Sequence, residues 1–322
     1  LERLGIQHRL WGASAHELWR QARIEQGARV LDVGCGPGHA SFDLGMLVGR
    51  AGAVEGVDES DHFIAHLNRQ AAARELPQVR GRVADAADMP DELLDGSFDA
   101  AWIRWVLCFV PQPRDVLAGV ARAVRPGGRV AIQDYFNYES MTMAPRLAAM
   151  DELVRTIAQS WRRHGGDPDV MGRMPGLLDQ AGFDIVSLDV RQRICQPGEQ
   201  MWQWPTTFWR TFLPRLVASG DLGEADAAAF GELWMRLSAD RHVWMQLPTV
   251  YEIVAERRGA DPGSRVILGS GSGRWFWGVA RAIGGGSARG TIDLPSVTAG
   301  PQGHPPAIGD EPRRTPNGAR AP

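Results

Sequence analysis

Lysine is absent: all 35 basic residues in the 322-residue chain are arginine. Mechanisms that need a side-chain amine are therefore excluded, among them a Walker-type phosphate grip, a pyridoxal Schiff base and a lysine nucleophile. Cysteine is scarce as well. Cys35, Cys108 and Cys195 stand too far apart for a CxxC metal site, a radical iron–sulfur motif or a disulfide framework, and such usage fits a reducing compartment. No HExxH or aspartate-rich ligand cluster occurs, so no metal is expected. No run approaches the roughly 18 to 20 consecutive apolar residues of a membrane span, and the first residues carry no signal-peptide pattern. A cytoplasmic protein with no membrane association is the expectation. Basic charge is not concentrated either: the net charge is −3 and no basic run exceeds a pair, so the electrostatic footprint of a nucleic-acid binder is missing.

What is present begins with a core. At 44% hydrophobic residues the chain can bury one large domain, alone or with appendages. Its organising stretch is Val30-Leu31-Asp32-Val33-Gly34-Cys35-Gly36-Pro37-Gly38-His39, where a buried-strand pattern runs into three alternate glycines and then a helical pattern from Ala40 to Val48. Glycine suits a sharp turn with positive φ, and it lets backbone N–H groups approach a ligand at the positive end of a helix. A dinucleotide fold of the GxGxxG type wants its last glycine at position 39, where this chain has His39.

Further along, strand and helix patterns alternate. Residues 1–27 read as a helix carrying His8, Trp11, His16 and Trp19. Ala53 to Asp58 reads as a second strand ending in a carboxylate twenty residues past Gly38, the place where an acid can accept from both ribose hydroxyls. Ser60 or Asp61 caps the helix that follows. Val79 to Ala84 and Phe98 to Leu107 supply third and fourth strands, with Asp85 and Arg104 at their exits. Asp115 to Val124 reads as a helix, and Arg125-Pro126-Gly127-Gly128 as a turn into a fifth strand that ends near Asp134. This alternation predicts an α/β fold with a doubly wound parallel sheet and a ligand at the carboxyl ends of its strands.

After Tyr135 the texture changes. Helical insertions are expected at about 135–182 and 199–240, with a sixth strand from Phe183 to Ile194 and a closing strand from Thr249 to Glu256. The second insertion is rich in aromatics (Trp202, Trp204, Phe208, Trp209, Phe212, Trp234), which either line an apolar pocket or pack helix on helix. The domain is expected to span 1–258. Residues 259–322, rich in glycine and proline, are expected to be a disordered tail in which only Arg274 to Ile283 carries an apolar stretch.

The run LDVGCGPGHASFDLG resembles the first motif of class I S-adenosylmethionine (SAM) methyltransferases. Asp58-Glu59-Ser60 is similar to that family's second motif, Phe98 to Leu107 to its FDxVxxxxVL segment, and VRPGGRV at 124–130 to the phrase after its fourth strand. The resemblance covers roughly residues 5–258 and is strongest over 29–134. It implies a Rossmann-like, seven-stranded, mostly parallel sheet with one antiparallel strand and helical lid insertions. It also implies SAM as methyl donor and a small-molecule acceptor of the quinone-biosynthesis or natural-product kind.

Carried onto this chain, the resemblance assigns Asp32, Gly34, Cys35, Gly36 and Gly38 to the loop beneath the methionine part and ribose. Asp58 and Glu59 fall to the ribose, Asp85 and Ala86 to the adenine, and the Arg104 backbone to the amino group. His8, Trp11, Tyr135, Tyr138 and Trp204 become candidates to line the substrate. A general base is left unassigned among His8, His16, Asp134, Tyr135, Glu139 and His164. Where base-modifying DNA methyltransferases carry an NPPY-like tetrapeptide, this chain has Ile103-Arg104-Trp105-Val106, which argues against a nucleic-acid substrate. The rival readings are a non-catalytic SAM- or nucleotide-binding module and an NAD(P)-dependent oxidoreductase. A homodimer is left open.

Overall fold

Parallel strands buried on both faces read as continuous apolar runs, and strand β1 (Arg29–Val33), exposed only at its first residue, is of that kind. The computed structural model describes residues 1–259, so the expected tail lies, from residue 260 onward, outside the described residues. In chain order the elements are α1 (Glu2–Gln21), β1, α2 (His39–Val48), β2 (Ala53–Asp58), α3 (Asp61–Ala73), β3 (Val79–Val83), β4 (Phe98–Arg104), α4 (Pro113–Ala123) and β5 (Val124–Tyr135). There follow β6 (Thr142–Ala144), α5 (Ala148–Arg163), α6 (Met174–Gln180), β7 (Phe183–Arg191), β8 (Ile194–Cys195), α7 (Gln203–Ala218), α8 (Glu224–Ser238), β9 (Trp244–Gln246) and β10 (Val250–Arg257).

Seven strands form one sheet in the order β3-β2-β1-β4-β5-β10-β7. β10 runs antiparallel to β5 and β7, whereas the β1, β2, β3, β4 and β5 pairings are parallel. Alternate side chains feed different cores: Val30, Ala100 and Trp102 enter one cluster, while Leu31, Val33, Ala101 and Ile103 enter the other. The parallel register brings Val33 opposite Val57 and Ile103, and Asp58 opposite Val83, so the exits of β1 to β4 lie along one edge. Among the described residues no helix is long and apolar enough to cross a membrane.

Several boundaries differ from the sequence reading, each because tertiary pairing overrides the local pattern. Arg125-Pro126-Gly127-Gly128 is an irregularity within one long strand β5, where the pairing with β4 shifts register between Phe98 and Ala100. β7 ends at Arg191, and Ile194–Cys195 instead joins a separate three-stranded sheet, β6-β9-β8. Within the insertion expected at about 135–182 the first α-helix starts only at Ala148, because Thr142–Ala144 pairs with Trp244–Gln246.

Helix α1 is held across the sheet by a buried polar chain. Gln133 Nε2 donates to Ser14 Oγ at 2.9 Å and to Glu252 Oε1 at 2.7 Å, and Arg191 Nε donates to Glu252 Oε2 at 2.7 Å. Trp19 meets Trp102 edge-on at 5.7 Å. The same helix drives Trp11 between Trp105 (5.6 Å) and Trp204 (5.2 Å), which ties α7 to the end of β4.

Candidate functional site

A cavity of about 800 Å³ opens at the carboxyl edge of the sheet, between the strand exits and α1, α5 and α7. That is toward the upper end of single-ligand pockets, which span about 300–1,000 Å³.

Its floor is the loop after β1. Gly34 and Gly36 have φ of +67° and +54°, a region that favours glycine. A Cβ on Gly34 would lie 2.2 Å from Val106 Cγ2, whereas one on Gly36 would find no atom nearer than Leu4 Cδ1 at 3.9 Å. Gly34 is therefore fixed by packing, and Gly36 leaves backbone open to the cavity. Gly38 does not line the cavity. Its Cβ would sit 2.7 Å from Leu67 Cγ, so it seats the start of α2 against α3.

Carboxylates crowd this half. Asp58 Oδ2 accepts from the Gly36 N–H at 2.9 Å and its Oδ1 from the Ser60 N–H at 3.0 Å, so loop and carboxylate position each other. Asp85 Oδ1 accepts from the Ala87 N–H at 2.8 Å. Asp32 is buried, takes a 2.6 Å hydrogen bond from Ser41 Oγ, and is pushed up to about 6 by burial against the opposing pull of Ser41 and Arg104. Asp32, Asp58, Glu59 and Asp85 all line the cavity, as do Gly34, Cys35, Gly36, Ala86 and Arg104. Burial raises the Cys35 thiol well above its ordinary value, which makes it wall rather than nucleophile.

Arg104 is the cation at the centre. Its Nη2 donates to His8 Nδ1 at 2.8 Å, and since arginine is only a donor, His8 Nε2–H must donate to Asp43 Oδ2, also at 2.8 Å. Burial holds His8 below its ordinary value, against the pull of Asp43, and so keeps it neutral. Burial also pushes Arg104 down to about 10, opposed by Asp32 and Asp43. Its Nη1 is buried and has no partner.

The other half is aromatic. Trp105 adopts φ of +51° directly after β4 and lies near-parallel to Tyr135 at 6.1 Å; Tyr138, Trp161, Trp204, Phe208 and Phe212 extend the wall. The expected substrate residues Tyr135, Tyr138 and Trp204 face the cavity, but His8 and Trp11 do not. His8 serves Arg104 from behind, and Trp11 is fully buried as the wedge between Trp105 and Trp204.

Both alternatives for the aromatic insertion hold, on different faces of α7. Trp204, Phe208 and Phe212 recur every four residues toward the cavity, while Trp202, just before the helix, and Trp209 pack with Trp234 on the other side. Of the base candidates, only Tyr135 lines the cavity. Asp134 is fully buried and accepts from the Cys108 N–H at 3.2 Å and the Tyr135 N–H at 2.9 Å. Glu139 pairs with Arg162 at 2.8 Å, and His164 and His16 bond to backbone carbonyls within their own helices. Arg3, Gln7, His39, Thr211 and Arg215 also line the cavity and were not anticipated. Arg215 could have been found by continuing the Trp204–Phe208–Thr211 stripe one turn further.

The methyltransferase-domain family matches residues 31–132. An O-methyltransferase, rstn1, of Aspergillus nomiae is 30% identical over 177 residues, 54% of this chain and 73% of that protein. The demethylmenaquinone methyltransferase of Halalkalibacterium halodurans is 31% identical over 134 residues, 40% of this chain and 54% of that protein. Among solved structures, the (4+2)-cyclase SpnF shares the fold with a TM-score of 0.51 at 20% identity, over 76% of this chain and 80% of that one. The chain spans about half the length of the first curated relatives it matches. With the glycine loop, the acids at the exits of β2 and β3 and the seven-stranded sheet all in place, the chain belongs to the class I SAM-dependent methyltransferase family.

Proposed function

We propose that this protein binds SAM along the acidic half of the cavity and transfers its methyl group to a small molecule held in the aromatic half. One observation carries the reading: Gly36, Asp58 and Asp85, from three successive strand exits, line the same cavity, with Asp58 hydrogen-bonded to the loop it faces. The residues fit the donor. The backbone over Gly36 is open, four carboxylates favour a cationic ligand, and Arg104 Nη1 is a buried donor in need of an acceptor.

SAM supplies a methyl group on a positively charged sulfur that leaves as the neutral thioether of S-adenosylhomocysteine. The chain's part is to align and to exclude water. In the proposed assignment Asp58 accepts from the ribose hydroxyls with Glu59 beside it, Asp85 from the adenine amine, and the Ala86 backbone meets the ring edge. Asp32 and the Gly34–Gly36 loop lie under the methionine part, the Arg104 backbone takes the amino group, and its free Nη1 is available to the carboxylate. Helices α1, α5 and α7 close over the aromatic half, and a dry site favours a transfer that neutralises charge.

Burial raises the Tyr135 and Tyr138 phenols, which makes both poor bases, and Asp115, at the start of α4, is among the described residues the carboxylate that lines the cavity away from the exits of β1 to β3. The acceptor then loses its proton to solvent or arrives without it. We place the reaction in the cytoplasm and give it no nucleic-acid partner, in keeping with the net charge of −3. The fold also serves the cyclase SpnF, so the test must register transfer and not only binding. Incubation with methyl-tritiated SAM and pooled phenolic, enolic and amine acceptors should yield labelled small molecules. Tight SAM binding with no transfer across all pools would favour a non-catalytic module.

A further inference from the structure

The cavity is electrically divided. Asp32, Asp58, Glu59 and Asp85 line the end beneath the strand exits, while Arg3 of α1 and Arg215 of α7 line the aromatic end. Among the described residues neither arginine is paired with an acid, and Asp115, at the start of α4, is the one further carboxylate in the cavity lining. Glu2 reaches Arg210 at 3.5 Å, Arg3 Nη1 donates only to the neutral Gln7 Oε1 at 3.1 Å, and Arg215 forms no ion pair.

Arg3 is half-buried and Arg215 exposed, and two guanidinium groups on facing helices repel. Burial accordingly lowers the Arg3 pKa, the Tyr135 phenol opposes that, and Arg215 adds to it. The indole N–H groups of Trp105 and Trp161 are buried without acceptors, and both rings line the cavity. The wall thus presents positive charge beside flat apolar faces, with no acid paired to either arginine among the described residues.

We propose that the methyl acceptor is an aryl carboxylate, its ring lying against Tyr135, Trp161 and Phe212 and its carboxylate held between Arg3 and Arg215. This rests on the methyl-transfer reading of the same cavity. A carboxylate presents two oxygens to planar guanidinium forks, which a neutral phenol or alcohol cannot do. The ring accounts for the aromatic wall, and edge-to-face contacts such as Phe109 with Trp161 at 4.9 Å extend that wall to the rim. Anion and cation then occupy opposite ends of one cavity, each beside protein charge of the opposite sign. Arg3 and Arg215 act in this scheme as specificity determinants and take no part in bond making.

The test uses the full chain in two steps. S-adenosylhomocysteine is titrated first by calorimetry, and its binding or failure to bind decides the methyl-donor reading alone. The saturated protein is then titrated with 3-hydroxy-2-naphthoate and, separately, with its neutral methyl ester. The acid should bind more than about tenfold tighter than the ester. Arg3→Gln and Arg215→Gln should each weaken the acid severalfold, and together bring acid and ester level, while S-adenosylhomocysteine affinity and melting temperature stay near those of the parent. Equal binding of acid and ester by the parent, binding of neither, or an acid preference that survives both substitutions would overturn the proposal.

Discussion

Asp58 carries two jobs with one carboxylate. It accepts the N–H groups of Gly36 and Ser60 at 2.9 and 3.0 Å, and each oxygen keeps a lone pair for a ribose hydroxyl. Asp58→Ala should weaken S-adenosylhomocysteine binding by more than about tenfold with an unaltered circular dichroism spectrum; unchanged affinity in calorimetry would remove the ribose assignment. Asp134 offers a different test. Burial pushes its carboxyl up to about 6, so the folded state holds that proton more tightly than the unfolded chain does. Its contribution to stability is fully present below about pH 4 and is lost as pH rises through 6. The stability of the parent relative to Asp134→Asn should therefore fall by on the order of 2–3 kcal/mol between pH 4 and 7 in urea melts. A difference that stays flat over that range would contradict the buried-acid account. At this scale strand ends were legible and helix faces were not. Asp58 and Asp85 follow from where a strand stops, whereas α1 carries polar and aromatic residues on several sides, and its pattern could not show that His8 and Trp11 turn inward while Arg3 and Gln7 face the cavity.

Among the elements, the glycine loop separates packing from binding within three residues. Gly34→Ala adds a left-handed strain and a collision with Val106, so it should lower stability by about 2–4 kcal/mol. Gly36→Ala adds the strain alone, about 1–2 kcal/mol, and places its methyl in the open space above the loop. Its main effect should be on S-adenosylhomocysteine affinity. Thermal melts with and without that ligand distinguish the two, and equal melting losses with equal retained affinity would contradict the division. The loop was legible because turn chemistry is local. The lid elements were only partly so: β9 pairs with β6 about a hundred residues upstream and with β8 about fifty, which no local pattern encodes. Helix α7 shows the intermediate case, in which the aromatic content was visible and the division of faces was not.

For the whole molecule, the strand–helix alternation over residues 30–134 was enough to give the sheet and the edge on which the site lies, because parallel strands joined by helices admit few arrangements. The lining and the two cores described above all come from residues 1–259. A chain ending at Gly259 should therefore keep its S-adenosylhomocysteine affinity and its melting temperature, and a large loss of either would place part of the site beyond that residue. The division of charge between the two ends is likewise a property of the assembled molecule. It needs four carboxylates from three strand exits and two arginines from separate helices. The most direct measurement of the central claim is a crystal structure with S-adenosylhomocysteine. The account predicts the ribose hydroxyls on Asp58, the adenine amine on Asp85 and the sulfur turned toward the Tyr135 and Trp161 wall. A nucleoside bound elsewhere, or one in the cavity that touches neither acid, would contradict it.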